Sequence, residues 1–295
     1  MFDFSSNHAG TNHRLWTFFV WTSGILVFAI FGLIAGDVVW RGIGQINLTF
    51  LTDSPTRSGR AGGIFPILIS TLGILGLCLG TAIPLSLATA IYLHEFSRKN
   101  GASARLIDRS LDVLAGVPSI VFGLFGNAFF AVTLELGFSL LSGGLTLACM
   151  ALPLMIRSTQ QGLRAVPDSF RLTAASLGLS RTSTIFRILL PAALPGILTG
   201  IILGIGRALA ETAALLFTSG YVTRMPESLF DSGRTLSIHI YDLAMNVPGG
   251  ESNAYGTALV LMILIVAINV TAGLLARMLL GRHIRLSFHQ TRSLS

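Results

Sequence analysis

Two charged residues stand inside an otherwise apolar stretch, in the run Gly206-Arg207-Ala208-Leu209-Ala210-Glu211-Thr212. A spacing of four puts Arg207 and Glu211 on one face if the stretch is helical. A charge at membrane depth costs about 2.5–3.5 kcal/mol on insertion scales, so such side chains face a bundle interior or an aqueous path. Two readings follow from the residues alone. Either the pair handles a polar solute crossing the membrane, or it is a structural ion pair that joins helices.

Other chemistry is scarce in this chain. Its one lysine is Lys99, and no Gly-x-x-x-x-Gly-Lys-Ser/Thr loop surrounds it. The glycine-rich cradle and lysine that hold ATP phosphates are therefore missing, and the chain is not expected to hydrolyse ATP. There is no His-Glu-x-x-His metal motif. Cys78 and Cys149 each lie in an apolar run, without a second cysteine at ligand spacing, and read as small buried hydrophobes. Asp37, Asp112, Glu135 and His94-Glu95 fall near the ends of apolar stretches and read as solvated or capping groups.

The elements that position these residues must be membrane helices. Hydrophobic residues make up 52% of the 295 residues and charged residues 11%, less than half the share in an ordinary soluble domain. Mean hydropathy is +0.73. Six uncharged stretches approach or exceed the length of a spanning helix: Trp16–Gly36, Ala61–Leu93, Val113–Leu134, Leu136–Ile156, Ile188–Gly206 and Ser252–Ala276. The fold class expected is all-α, a polytopic bundle of six membrane helices with lipid around it. The start of the second stretch, Ala61 to Pro66, is expected at the surface, and the fifth is expected to continue past Arg207 toward Phe217. The first stretch is long for a signal peptide and reads as an uncleaved span.

Net charge is +7. With both termini in the cytoplasm, the inner loops and tails hold Arg14, Arg98, Lys99, Arg105, Arg109, Arg157, Arg164, Arg171, Arg181, Arg187, Arg277, Arg282, Arg285 and Arg292. The outer set is then only Arg41, Arg57, Arg60, Arg224 and Arg234. That asymmetry favours cytoplasmic ends and explains the basic charge without nucleic acid. The last outer loop is acidic, with Glu227, Asp231, Asp242 and Glu251.

The loop between the fourth and fifth stretches, Val166 to Pro191, reads as a helix–turn–helix elbow. Asp168 or Ser169 is expected to cap a first short helix, Gly178 to end it in a left-handed conformation, and Ser180 to cap a second. An amphipathic elbow fits either a groove on a soluble partner or the lipid surface. Phe170, Leu172, Phe186 and Leu189 are the candidate contacts.

The elbow resembles the coupling loop of ABC-importer permeases, whose pattern is Glu-Ala-Ala, three residues, Gly, nine residues, Ile-x-Leu-Pro. Gly178 and Ile188-Leu189-Leu190-Pro191 match in spacing. Leu172-Thr173-Ala174 departs from Glu-Ala-Ala, which removes the usual acidic group. Three further runs resemble phosphate-specific permeases of the PstA type: Gly62 to Pro66, Leu111 to Gly126, and Gly206 to Ser219 with its Glu-Thr-Ala and Leu-Phe-Thr-Ser pieces. The likeness covers about residues 60–280.

This resemblance implies a type I ABC-importer permease. Residues 1–60 would hold the N-terminal tail, first helix and outer loop. Residues 61–282 would form the permease domain with its coupling loop at 166–190, and residues 283–295 a cytoplasmic tail. Phe170, Leu172, Ala174, Gly178, Phe186 and Pro191 would contact the ATPase, and Arg207, Glu211 and Thr212 would lie on the phosphate path. The planar donors of Arg207 suit phosphate oxygens in pairs, and Glu211 would hold the guanidinium while phosphate is absent. The implied partners are a second permease of the PstC type, two PstB-type ATPase subunits and a PstS-type phosphate-binding protein in a bacterial inner membrane. This chain would bind no cofactor, with ATP and Mg²⁺ on the ATPases. The alternatives are a sulfate or molybdate permease, an ion-coupled secondary carrier, and a membrane sensor or scaffold.

Overall fold

A computed structural model describes the backbone of residues 9–97 and 101–292, and the side chains of residues 16–97, 101–274 and 278. Arg98 and Lys99 lie outside the described residues, as do the side chains of Arg14, Arg277, Arg282, Arg285 and Arg292. In chain order the elements are α1 (Ala9–Gly42), α2 (Leu48–Thr52), a two-residue hairpin of β1 (Pro55–Thr56) and β2 (Ala61–Gly62), α3 (Phe65–Ile91), α4 (Ala102–Gly116) and α5 (Ser119–Gly126). Then come α6 (Leu140–Arg164), α7 (Asp168–Ser176), α8 (Arg181–Thr184), α9 (Leu190–Ala210), α10 (Ala213–Leu216), α11 (Leu236–Met245) and α12 (Glu251–Arg292). Single π-helical turns extend α3 (Tyr92–Phe96) and α5 (Asn127–Thr133) and lead into α9 (Ile185–Leu189).

Five helices are long and apolar enough to cross a membrane, and a sixth span is counted if the bent pair α4–α5 acts as one. In lipid a helix satisfies its own backbone groups, which is why apolar runs of this length become helices here. The third stretch is not the straight span that its composition suggests. Val117 and Pro118 are extended, and the chain turns by 107° between α4 and the helical segment Ser119–Thr133. Proline disfavours helical geometry in the residue before it, so the break falls at Val117. The fourth span starts at Leu140, later than expected, and continues beyond Ile156 to Arg164. Ala61–Pro66 precedes the second span, with the hairpin ending at Gly62 and α3 beginning at Phe65, but Gly63, Ile64 and Pro66 are buried.

The core is α3, α6 and α9, with Ile74, Cys78, Leu147, Ala151, Met155 and Leu209 among its buried side chains. Small residues let α6 and α9 approach closely. A Cβ on Gly196 would strike the Gly162 backbone, and one on Gly200 or Gly204 would press on Ser158 or Met155. Ser158 Oγ donates to the Gly196 carbonyl across this seam at 3.0 Å. A glycine at every fourth position of α9 is the packing solution where van der Waals contact, not water exclusion, drives association.

α1 touches the bundle at its C-terminal end, where Gly42 meets Tyr255 and Leu259 and Arg41 lies over the Tyr255 ring. Along the rest of its described length, large apolar side chains such as Trp16, Phe28 and Leu33 stand exposed, as suits a lipid-facing helix. α12 runs without interruption through residue 282 to Arg292.

Two ends of the bundle can be told apart. One carries the elbow, residues 166–190. The other carries a cap made from α2, the hairpin and the segment 217–250. The cap contains a helix, α11, in what sequence alone suggested was an acidic loop, and Leu236, Ile238, His239 and Leu243 of that helix are buried.

Candidate functional site

The fifth stretch does not continue toward Phe217 as one helix. α9 ends at Ala210, Glu211 is extended (φ −74°, ψ 130°), and a new short helix starts at Ala213. The shared helix face expected for Arg207 and Glu211 is therefore absent, because Glu211 lies beyond the last turn. The two form no ion pair, and the carboxylate is engaged elsewhere. Glu211 Oε1 accepts from the Ala214 N–H at 3.2 Å, which satisfies an amide at the start of α10. The Glu211 carbonyl accepts from Ser237 Oγ at 2.6 Å, and so ties the break to α11.

Arg207 is left free. It sits exposed in the last turn of α9, and among the described residues no carboxylate pairs with it. Its neighbour Gly204 packs on Met155, so this turn lies within the packed length of α6 rather than outside the bundle. The last turn of a helix is a favourable place for a cation. Thr212, half-buried, occupies the bend itself, with φ −121° and ψ −52°. Irregular backbone at membrane depth persists only where protein or a water-filled cavity surrounds it.

Protein surrounds much of this break. A Cβ on Gly123 would come within 2.8 Å of the Ala214 Cα, so α10 lies directly on α5. Asn127 Nδ2 donates to the Phe217 carbonyl at 2.7 Å. Gly126 fits against Thr146 and Thr218. Two of the sequence runs singled out for their resemblance, separated by about ninety residues, are thus one contact.

The elbow forms as a helix–turn–helix. Gly178 has φ +70°, Leu179 N–H donates to the Ala174 carbonyl and Gly178 N–H to the Ala175 carbonyl, both at 3.0 Å. This is the double bond pattern of a left-handed helix terminus. Ser180 Oγ accepts from the Ser183 N–H and caps the second helix. The first cap differs from expectation. Pro167 precedes the helix with no side-chain bond to the amides, and Asp168 turns instead to Arg171 at 3.2 Å.

Of the expected contact residues, Phe170, Leu172 and Phe186 are exposed, at 45%, 69% and 61%. Gly178 is exposed at the turn, and Pro191 is half-buried at the start of α9. Ala174 and Leu189 are buried at 1% each. Both are covered by the chain itself and are not available to a partner.

Several charges act as fasteners that sequence alone did not identify. Arg157, on the unexpected extension of α6, pairs with Asp108 at 2.8 Å and Asp112 at 2.6 Å and so staples α4 to α6. Asp112, expected as a solvated or capping group, is solvated and also an ion-pair partner. Glu95 likewise pairs with Arg171 of the elbow at 2.7 Å. The available signal was an acid–acid spacing of four, Asp108 and Asp112, on one helical face. In the cap, Arg234 pairs with Asp242 at 2.8 Å beside buried His239. Burial, reinforced by the Arg234 charge, pushes the His239 imidazole down to about 4, so it is neutral at physiological pH.

Comparison with known proteins places this architecture. Residues 82–285 match the family model described as "Binding-protein-dependent transport system inner membrane component". A relative from Mycobacterium tuberculosis (strain CDC 1551 / Oshkosh), "Phosphate transport system permease protein PstA 1", is 37% identical over 217 residues, covering 73% of this chain and 71% of the relative. "Probable ABC transporter permease protein YqgI" of Bacillus subtilis (strain 168) is 30% identical over 257 residues, 82% of this chain and 87% of the relative. Among solved structures, a chain of a bacterial ABC transporter involved in import of the acidic polysaccharide alginate superposes with a TM-score of 0.65 at 14% identity, covering 90% of this chain and 99% of that one. A chain of the MetNI methionine ABC transporter in an inward-facing conformation gives 0.59 at 16% identity, covering 72% and 93%. At such identities the structures speak for the fold alone, which is that of ABC-importer permeases. The exposed elbow, the broken fifth span and the matched family model agree: this chain is a multi-pass inner-membrane component of the binding-protein-dependent transport family.

Proposed function

We propose that this chain is one of two permease subunits of an ATP-driven inorganic phosphate importer. The observation that carries the reading is the broken fifth span, where Arg207 has no acidic partner among the described residues while Glu211 is held by the backbone of α10. An unpaired guanidinium at membrane depth is stable only if water or a mobile anion reaches it. Its paired donors suit a tetrahedral oxyanion. The name of the M. tuberculosis relative supports phosphate over sulfate and molybdate. Arg207 and Thr212 then line the path. Glu211 keeps the break in shape, so its role is positional.

The elbow end faces the cytoplasm in this reading, as do both termini, and the cap faces the binding protein. A PstC-type second permease would complete the path beside the α9–α10 break. PstB-type ATPases would seat Phe170, Leu172 and Phe186 and would hold ATP and Mg²⁺, for which this chain has no cradle. A PstS-type protein would deliver phosphate. Residues 61–282 serve as the permease unit, and residues 1–60 add a peripheral helix.

The test is ³²P-phosphate uptake by the full assembly reconstituted with its ATPase and binding protein, with sulfate and molybdate as competitors. Expected is ATP-dependent phosphate uptake that Arg207→Gln abolishes. Phosphate uptake unchanged in that variant, or outcompeted by equimolar sulfate, overturns the proposal.

A further inference from the structure

The elbow meets the second span through a charge pair rather than through packing alone. Arg171 lies in α7 and Glu95 in the π-helical turn that ends α3, 76 residues apart in sequence. Arg171 Nη2 donates to Glu95 Oε1 at 2.7 Å and lies 3.1 Å from His94 Nε2. Its Nη1 is fixed by the Val166 carbonyl at 3.3 Å and Asp168 at 3.2 Å. The paired side chains are only 24% and 15% exposed, so water screens them less than a surface pair.

Two features make this seam depend on the pair. First, an open groove of about 270 Å³ lies between the elbow and the end of α3, lined by Phe96, Arg181 and Leu189 as well as by Glu95 and Arg171. Apolar packing is thus interrupted beside the charges. Second, the Ser97 N–H bonds back to the Tyr92 carbonyl at 2.9 Å, five residues earlier. One π turn shifts the register that an α-helix would keep, and so re-aims Glu95. Such turns are rare and concentrate at functional sites. Leu172, next in sequence to Arg171 and so about 100° around the helix from it, is exposed. The elbow therefore leaves an apolar side chain uncovered beside a clamped charge.

We propose that Glu95 and Arg171 form a positioning clamp that makes the elbow and the end of the second span move as one body. Motion imposed on the elbow then reaches α3 directly, and not only α6 and α9, to which the elbow is covalently joined. The inference rests on the reading of the elbow as the ATPase contact.

The experiment uses the reconstituted assembly and measures phosphate taken up per ATP hydrolysed. Arg171→Gln and Glu95→Gln should each lower that ratio about tenfold or more, in line with loss of one charge-assisted hydrogen bond. Arg171→Lys, which keeps one bond to Glu95, should stay within about twofold of wild type. A merely structural role would instead reduce the amount of assembly and its ATPase content while leaving the ratio unchanged, and that result overturns the clamp. The double variant Glu95→Cys, Arg171→Cys gives an answer that holds even if the single variants fail to accumulate. Bridging its thiols with a short bis-maleimide should restore the ratio. A bridge that stops uptake shows that elbow and α3 must part during the cycle, and overturns the proposal. If the wild-type assembly carries no phosphate, the substrate reading fails instead. The clamp is then read from stimulation of ATP hydrolysis by the binding protein, which Arg171→Gln should lose and Arg171→Lys keep; stimulation unchanged in Arg171→Gln overturns it.

Discussion

The fold treats charge in opposite ways at the elbow and at the break in the fifth span. At the elbow end, Arg157 and Arg171 each hold acidic partners from a different element, Asp108 and Asp112 in one case and Glu95 in the other. At the break, Arg207 has no acidic partner among the described residues, and Glu211 is bound to backbone. A paired arginine joins two elements at the price of its availability. An unpaired one contributes little to the fold and is free to meet a solute. The contrast teaches where to look for function in a bundle of this kind: at the charge that the structure leaves unused.

The sharpest way to break the contrast is to remove the unused charge. Arg207→Gln should reduce phosphate uptake on the order of a hundredfold or more, because hydrogen bonds to a charged group contribute about 1.5–3 kcal/mol each and a guanidinium makes two. Thermal stability of the assembly and its ATPase content should stay at wild-type levels, and a large fall in either would show that Arg207 is a fastener after all.

The cap supplies a fastened cluster that pH should loosen. His239 is neutral in the folded chain, with its imidazole near 4 against 6.5 when exposed. The unfolded state therefore binds the proton first, and stability present above 6.5 is lost as pH falls from 6.5 toward 4. The loss should reach about 3 kcal/mol, from 1.36 kcal/mol per unit. A thermal-unfolding profile of the purified assembly across that window measures it, and His239→Gln should flatten the profile.

Next in size is the staple on α4. Arg157→Met should lower stability by about 1–2 kcal/mol, limited by the exposure of Asp108 and Asp112. Proteolysis near Val117 in vesicles should rise with it, while phosphate taken up per ATP stays constant. Smallest is the turn of the elbow. Gly178 adopts φ +70° with open space around its Cα, so Gly178→Ala adds strain without a clash and should destabilise by about 1 kcal/mol. Thermal melting reads this change, and an unchanged melting curve would mean that the turn relaxes to another terminus.

The elbow was legible in sequence because its signals are local. A glycine that can turn left-handed and a serine that can cap an amide act within four residues of themselves, and both did so at Gly178 and Ser180. The break at Glu211 was not legible. Ala208, Leu209, Ala210, Ala213 and Ala214 all favour helix, and neither proline nor glycine interrupts them. What ends α9 is a set of distant bonds, from Ser237 to the Glu211 carbonyl and from Asn127 to the Phe217 carbonyl, together with the close seat of Ala214 on Gly123.

By itself, then, the sequence determined that the chain lives in lipid, roughly where its helices run, and that one surface loop is an elbow. Apolar run length and local capping carry that information, because a helix in lipid depends mainly on its own residues. Only the tertiary structure decided that the third span bends by 107°, that Arg207 and Glu211 part, and which carboxylates hold Arg157 and Arg171. Those outcomes depend on groups tens of residues away competing for the same donors and acceptors, and pairing of that kind has no local signature.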